Sequence, residues 1–319
     1  VENIISAFDS STDYLSYKDV QIRCRVVNTA PTLTNITNIA EITAYSNDSN
    51  LIDRDNVRDV VLPSDDDLPA YRDEEINSGI AYIPGQEDDD DFEKVILQKF
   101  DLALRKFITG VNDEEITNRE PEVDTSLYGT TDENSNLITN FTYNHTKDPV
   151  RVCQNDIVIY TIRVYNEGTM SGYAEEIKDD IPEGLVFLPE NEVNQEYRWV
   201  MLDLNGNVTN NPEEAIVITT DYLSKANETT DEENLLQAYN SETMEGPDYR
   251  DVKVAFRVTE PNTSDRIIIN QAQISDDADS EGEDVTDIDS TPNEWNSGED
   301  DQDIEKIYVQ YFDLALRKW

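Results

Sequence analysis

The heptapeptide FDLALRK occurs twice, at Phe100–Lys106 and at Phe312–Lys318, and the residues ahead of each copy match as well. EDDDDFEKV at Glu87–Val95 parallels EDDQDIEKI at Glu299–Ile307, at the same spacing from its heptapeptide. Further back, DVQIRCRVV (Asp19–Val27) parallels DVKVAFRVT (Asp251–Thr259), and TNITNIAEI (Thr34–Ile42) parallels RIIINQAQI (Arg266–Ile274). Loop lengths differ between the copies while the strand-like segments hold register, which is how tandem β domains behave. The repeat divides the chain into the C-terminal part of one unit (1–99), one complete unit (100–311) and the first strand of a third (312–319). It reads as a piece of a longer array.

Within the complete unit, short runs rich in Val, Ile, Tyr and Thr alternate with turn signals. DIVIYTIRVYN (156–166), GLVFL (184–188), YRWVML (197–202), VKVAFRV (252–258) and RIIINQAQI (266–274) are separated by segments such as NEG at 166–168 and PEG at 182–184. This pattern predicts an all-β chain built as tandem immunoglobulin-like β-sandwich domains. A short helix is expected near Asp231–Ala238.

Lys and Arg number 24 against 70 Asp and Glu, a formal net charge of −46. So large an acid excess repels phosphate backbones and anionic lipid, which argues against nucleic-acid and membrane-surface partners. No run approaches the 18 or so apolar residues a spanning helix needs, so no membrane insertion is expected in this segment. One histidine, His145, and two cysteines, Cys24 and Cys153, leave almost no material for a Ser-His-Asp triad or a multi-His or multi-Cys zinc site. Phosphate-binding loops, GxSxG and HExxH are also missing. An ordinary enzyme is not expected. Cys24 alternates with Ile22 and Val26 and reads as a core residue, and no disulfide with Cys153 is expected.

Strand alternation places three polar residues on apolar faces. Lys106 follows Phe100, Leu102 and Leu104 on one face; Asn270 falls between Ile268, Ala272 and Ile274; Asp179 lies between Ile177 and Ile181. The partial unit repeats the asparagine, with Asn38 flanked by Ile36, Ala40 and Ile42. A buried, unpaired lysine is very costly. One chemistry accommodates all three: a desolvated lysine becomes a neutral nucleophile, while a buried carboxyl keeps its proton. A protonated Asp179 would polarise the Asn270 carboxamide while Lys106 Nζ attacks it, releasing ammonia and leaving an amide cross-link.

At these residues the chain resembles the intramolecular-isopeptide domains of Gram-positive surface proteins and pilins. In those the lysine sits on the first strand, the asparagine on the last, and a catalytic acid between them. DDIPEGLVF is similar to their D-x-L-P-x-G-L segment, with Asp179 in the place of the acid; the match is loose, and Asp180 or Glu176 are alternatives. NEG after IYTIRVY resembles the wider class of bacterial surface repeats. The resemblance implies an extracellular, cell-surface structural segment of a fibre, filament or stalk, whose chemistry is autocatalytic cross-linking rather than turnover. A surface adhesin is the alternative, with Tyr197, Trp199 and Trp295 as candidate contacts to a host protein or glycan.

Residues 276–303 contain 13 Asp or Glu and no Lys or Arg. Asp287, Asp289, Glu299, Asp300, Asp301 and Asp303 form two clusters in it, and Asp53, Asp55, Asp88 and Asp89 are their counterparts in the partial unit. Two carboxylate clusters joined by a loop supply the six to eight oxygens that Ca²⁺ takes, so calcium is the expected cofactor. The spacing is not that of an EF-hand, but it is similar to acidic loops at the domain ends of bacterial surface repeats. Expected partners are adjacent repeats or neighbouring copies of the chain. A head-to-tail contact with strand donation would bring Lys318 to Asn38.

Overall fold

The computed structural model describes residues 4–12, 15–26, 35–42, 90–130, 138, 140–228, 233–296 and 299–319. Two compact units are present, 1–33 and 34–319. In the first, the described residues form a turn in which Asp9 accepts from the Ser11 amide and hydroxyl. The segment expected as a strand at 19–27 lies outside any ladder over 19–26, with Val20, Ile22 and Val26 exposed. Cys24 is likewise exposed rather than buried, because alternation buries a side chain only where a second layer covers the face.

The second unit is all-β. A two-stranded antiparallel ladder joins β1 (Asn35–Glu41) to β2 (Asp90–Ile96). The remainder is a two-sheet sandwich. One sheet contains β3 (Leu102–Val111), β4 (Glu114–Glu115), β8 (Ile157–Asn166), β10 (Leu185–Phe187) and β13 (Tyr249–Val258), in the order β10-β13-β8-β3-β4. The other contains β7 (Val150–Val152), β9 (Gly172–Asp180), β11 (Val200–Leu202), β12 (Val217–Thr220), β14 (Ile267–Asp279) and β15 (Gln302–Val309), in the order β11-β12-β9-β14-β15-β7. Pairing is antiparallel except between β15 and β7. A small ribbon of β5 (Glu122–Asp124) and β6 (Thr142–Asn144) completes the described strands. Inward residues of both sheets, among them Leu104, Tyr160, Ile162, Val254 and Phe256 from one and Ile177, Ile218, Ile268, Ile274 and Ile307 from the other, make one hydrophobic core. Burying each such side chain stabilises the fold by roughly 1.5–3 kcal/mol.

The α-helix among the described residues, α1, spans Glu192–Glu196 and is capped by Asn191, whose side chain accepts from the Val193 amide. The helix expected near 231–238 does not form over 233–238: Leu235 and Leu236 are buried, and Leu236 bridges to Gly172 instead. Among the described residues no helix is long and apolar enough to cross a membrane.

The NEG turn that follows β8 determines where β3 begins. Asn166 Oδ1 accepts from the Gly168 amide at 2.9 Å, while its Nδ2 donates to the Met170 and Leu236 carbonyls. The turn then holds the incoming chain: the Glu167 amide donates to Asp101 O, and the Thr169 amide to Lys99 O, each at 2.9 Å. The approach is so close that a Cβ on Gly168 would collide with the Lys99 carbonyl and crowd the Asp101 amide. Gly168→Ala is therefore expected to destabilise the domain by about 1–3 kcal/mol, by displacing backbone rather than a flexible side chain. A urea midpoint equal to that of the wild type would contradict this placement of the turn.

Candidate functional site

Lys106, Asp179 and Asn270 meet in the core. Lys106 comes from β3 in one sheet, Asp179 and Asn270 from adjacent strands β9 and β14 of the other, and they are respectively 0%, 1% and 0% exposed. The register explains the meeting on the second sheet. Ala272 lies directly across from Asp179, so Asn270, two residues along β14, shares its inward face. Lys106 Nζ forms an ion pair with Asp179 Oδ2. Asn270 Nδ2 donates to the other oxygen, Oδ1, at 2.7 Å. One carboxylate thus bridges the amine and the amide.

The surroundings are apolar on one side and acidic on the other. The Tyr160 ring centroid lies 5.0 Å from Lys106 Nζ, and Ile162 is the lysine's cross-strand neighbour. Asn270 Nδ2 also donates to the Asp180 backbone carbonyl and to Asp180 Oδ1, both at 2.8 Å. Its Oδ1 is buried without a hydrogen-bond partner among the described residues. Glu176, the third acid suggested by the sequence, is taken up by Ser275 and Lys178 and does not reach the trio. Burial pushes the Asp179 carboxyl up to about 6, against the downward pull of Lys106 and reinforced by Asp180. Desolvation raises Asp180 as well.

A fourth group was missed by the sequence reading. Glu305 of β15 is fully buried, sits directly across from Asn270, and receives Arg119 Nη2 at 2.8 Å on Oε1, while its Oε2 has no partner among the described residues. The signal was present, since Glu305 alternates with Ile307 and Val309 on one face of β15. The inter-unit candidates are placed differently. Asn38 is exposed and pairs across the ladder with Glu93, and Lys318 lies in an exposed segment. Residues 312–319 form no ladder: Phe312, Leu314 and Leu316 are 85%, 79% and 95% exposed, whereas Phe100, Leu102 and Leu104 of the identical heptapeptide are at most 2% exposed.

The acidic loop runs beside β3. The Leu102 amide donates to Asp287 Oδ2 at 2.8 Å, the Leu104 amide to the Asp300 carbonyl at 2.8 Å, and the Lys106 amide to Asp303 Oδ2 at 2.7 Å. Asp287, Asp289 and Asp300 converge there with two residues that the sequence did not single out, Asp101 and Glu167. Asp101 was missed because it lies on the opposite face of the strand from Leu102 and Lys106, a face that the loop covers. Burial raises all four of Asp101, Glu167, Asp287 and Asp300, with Glu167 pushed up to about 8, Asp287 to about 7 and Asp300 to about 6. The other loop acids do not join this cluster. Asp303 pairs with Lys147 at 2.6 Å and Glu299 bonds Asn296, while Asp301 is buried with both oxygens lacking partners among the described residues. Asp53, Asp55, Asp88 and Asp89 lie outside the described residues.

No family model matches the chain, and no curated protein matches it. Among solved structures it is similar to BcpA, the major pilin subunit of Bacillus cereus, at 9% identity and a TM-score of 0.23. That match covers 69% of this chain and 56% of the pilin, so the chain spans little more than half of that protein's length.

The aromatics suggested as ligand contacts differ in exposure. Trp199 is buried, with Nε1 donating to the Lys253 carbonyl at 2.7 Å; Tyr197 stacks edge-on against Tyr222; Trp295 is exposed. Cys153 is a free, exposed thiol.

The raised Asp179 carboxyl has a consequence for stability. Its folded value of about 6 lies above the ordinary 3.8, so between those values the native state holds a proton that the unfolded chain has lost. The stabilisation is complete below pH 4 and is lost as pH rises through 6, by on the order of 3 kcal/mol. Denaturant titrations between pH 4 and 6.5 should show a shallower fall with pH in Asp179→Asn than in the wild type. Parallel curves would contradict the assignment.

Proposed function

We propose that this chain is a load-bearing segment of an extracellular bacterial surface fibre, filament or stalk, in which Lys106 and Asn270 become joined by an isopeptide bond. The observation that carries this reading is the bridge made by Asp179 across two sheets, one oxygen on Lys106 Nζ and the other on Asn270 Nδ2. A stability-driven core has no need of such a trio, because hydrophobic residues of similar volume are as good or better there.

The chemistry follows from the contacts. The reaction needs a neutral amine, and the direct contact between Nζ and Asp179 gives the proton a place to go: the carboxylate takes it before attack. The neutral Nζ attacks Asn270 Cγ, forming the Nζ–Cγ bond and a tetrahedral intermediate. Asp179, which touches both nitrogens, then relays a proton from Nζ to Nδ2. The Cγ–Nδ2 bond breaks, ammonia leaves, and a secondary amide remains. No water, oxidant or cofactor is consumed. Each chain reacts once, so this is maturation rather than turnover.

The product ties β3 to β14 through a covalent loop of roughly 160 residues. By analogy with disulfide loop entropy that is worth about 5 kcal/mol, with the same dependence on the unfolded-state treatment. Its larger effect is mechanical, because force applied to the two ends of the domain bypasses everything inside the loop. Adjacent repeats or neighbouring copies are the partners this reading implies.

The direct test is the intact mass of the denatured chain. It is expected to be lighter than the sequence by one ammonia, with the peptides carrying Lys106 and Asn270 recovered as one species. Lys106→Ala, Asn270→Ala and Asp179→Ala should each restore the full mass. Full mass in the wild type would overturn the reading.

A further inference from the structure

The start of β3, the NEG turn and the acidic loop bring five carboxylates to one place at the end of the sandwich. Asp101, Glu167 and Asp300 form one set, and Asp101, Asp287 and Asp289 a second; within each set the carboxylate oxygens lie within 4.8 Å of one another. Acidic clusters are common without any ligand. This one differs in how Asp101 is held. It is 1% exposed, and its Oδ1 has no hydrogen-bond partner among the described residues. It is also the member the two sets share.

The other four are oriented by neutral donors that leave lone pairs free. Glu167 receives the Tyr143 hydroxyl at 2.6 Å and the Phe141 amide at 2.5 Å. Asp287 receives the Leu102, Asp289 and Ser290 amides. Asn140 Nδ2 reaches Asp289 at 2.7 Å and Asp300 at 3.1 Å, and the Ser290 hydroxyl reaches Asp300 at 3.3 Å. Among the described residues Lys99 and Arg105 flank the group, two positive charges against five carboxylates. A buried carboxylate oxygen with no donor is costly, and a hard cation removes that cost.

We infer that Asp101, Glu167, Asp287, Asp289 and Asp300 form a calcium site that clamps the first strand of the domain to the NEG turn and the acidic loop. Five carboxylates from three separate segments offer the many-oxygen, flexible shell that Ca²⁺ takes, whereas Mg²⁺ holds its waters and prefers one or two carboxylates. Binding closes the end of the strand that carries Lys106, and it binds the native state alone, so it stabilises the fold. The inference deepens the fibre reading, resting on it only for the extracellular calcium that fills the site. Ion occupancy is read by titration and cross-linking by mass, so either can fail without the other.

The experiment is a titration of the full chain, stripped with chelator, using Ca²⁺ in calorimetry and Tb³⁺ in luminescence excited through tyrosine, with Tyr143 beside Glu167 as antenna. Saturable Ca²⁺ binding is expected, at least tenfold tighter than Mg²⁺, with a rise in Tm. Asp101→Asn should weaken Ca²⁺ at least tenfold while its Tm in chelator equals or exceeds that of the wild type, since it removes like-charge repulsion. A merely structural Asp101 would instead lower Tm in both conditions. Asp289→Asn, at an exposed position, gives the same readout should the buried variant fail to fold, and the exposed Glu213→Gln serves as control. A flat Ca²⁺ titration, equal affinity for Mg²⁺, or unchanged affinity in both variants overturns the site.

Discussion

A lysine amine with no access to water, held between two β-sheets by a single carboxylate, is the constraint around which this domain is organised. Lys106 approaches from β3, while Asp179 and Asn270 wait on β9 and β14. A buried charge pair of this kind contributes little to stability compared with a well-packed apolar substitute, and removing one member is destructive. The proposed cross-linking, in which the amine is consumed, accounts for the arrangement. Asn270 completes it, since its Nδ2 bonds the same carboxylate and its Oδ1 has no hydrogen-bond partner among the described residues.

The rest of the sandwich serves to fix β3. Its central neighbour, β8, sets the register that puts Lys106 across from Ile162. The NEG turn at the end of β8 grips the backbone at Lys99 and Asp101, and the acidic loop hydrogen-bonds alternate β3 amides at Leu102, Leu104 and Lys106. The first strand is therefore held along its length through its own backbone amides, and the carboxylate cluster gathers at its end. The proposed cross-link and the proposed ion site would be the two fastenings of one strand.

Much of this is legible in the sequence, and for a definite reason. Period-two alternation reports directly which side of a strand a residue occupies, so Lys106, Asp179 and Asn270 can be recognised as inward from their apolar neighbours alone. Glu305 was equally readable by the same rule. Alternation fails where burial comes from a covering segment rather than from sheet packing. Asp101 is buried on the face away from the core because Asp287, Asp289 and Asp300 gather over it, and Glu167 because a turn folds back. It also fails where the second layer is missing: Ile22, Cys24 and Val26 alternate like strand residues yet are exposed. The heptapeptide makes the same point, as FDLALRK is a buried strand at 100–106 and an exposed, unpaired segment at 312–318. Local sequence proposes a strand, and tertiary cover decides it.

Single-molecule pulling on the domain from its two ends tests most directly the proposed covalent joining of the two sheets at Lys106 and Asn270. With the bond in place, unfolding releases chain outside the loop while roughly 160 residues stay closed. The contour-length gain then falls short of a fully extended domain by on the order of 550 Å, at about 3.5 Å per residue. Asn270→Ala should recover that length at lower force. Release of the whole domain's length in the wild type would contradict the account.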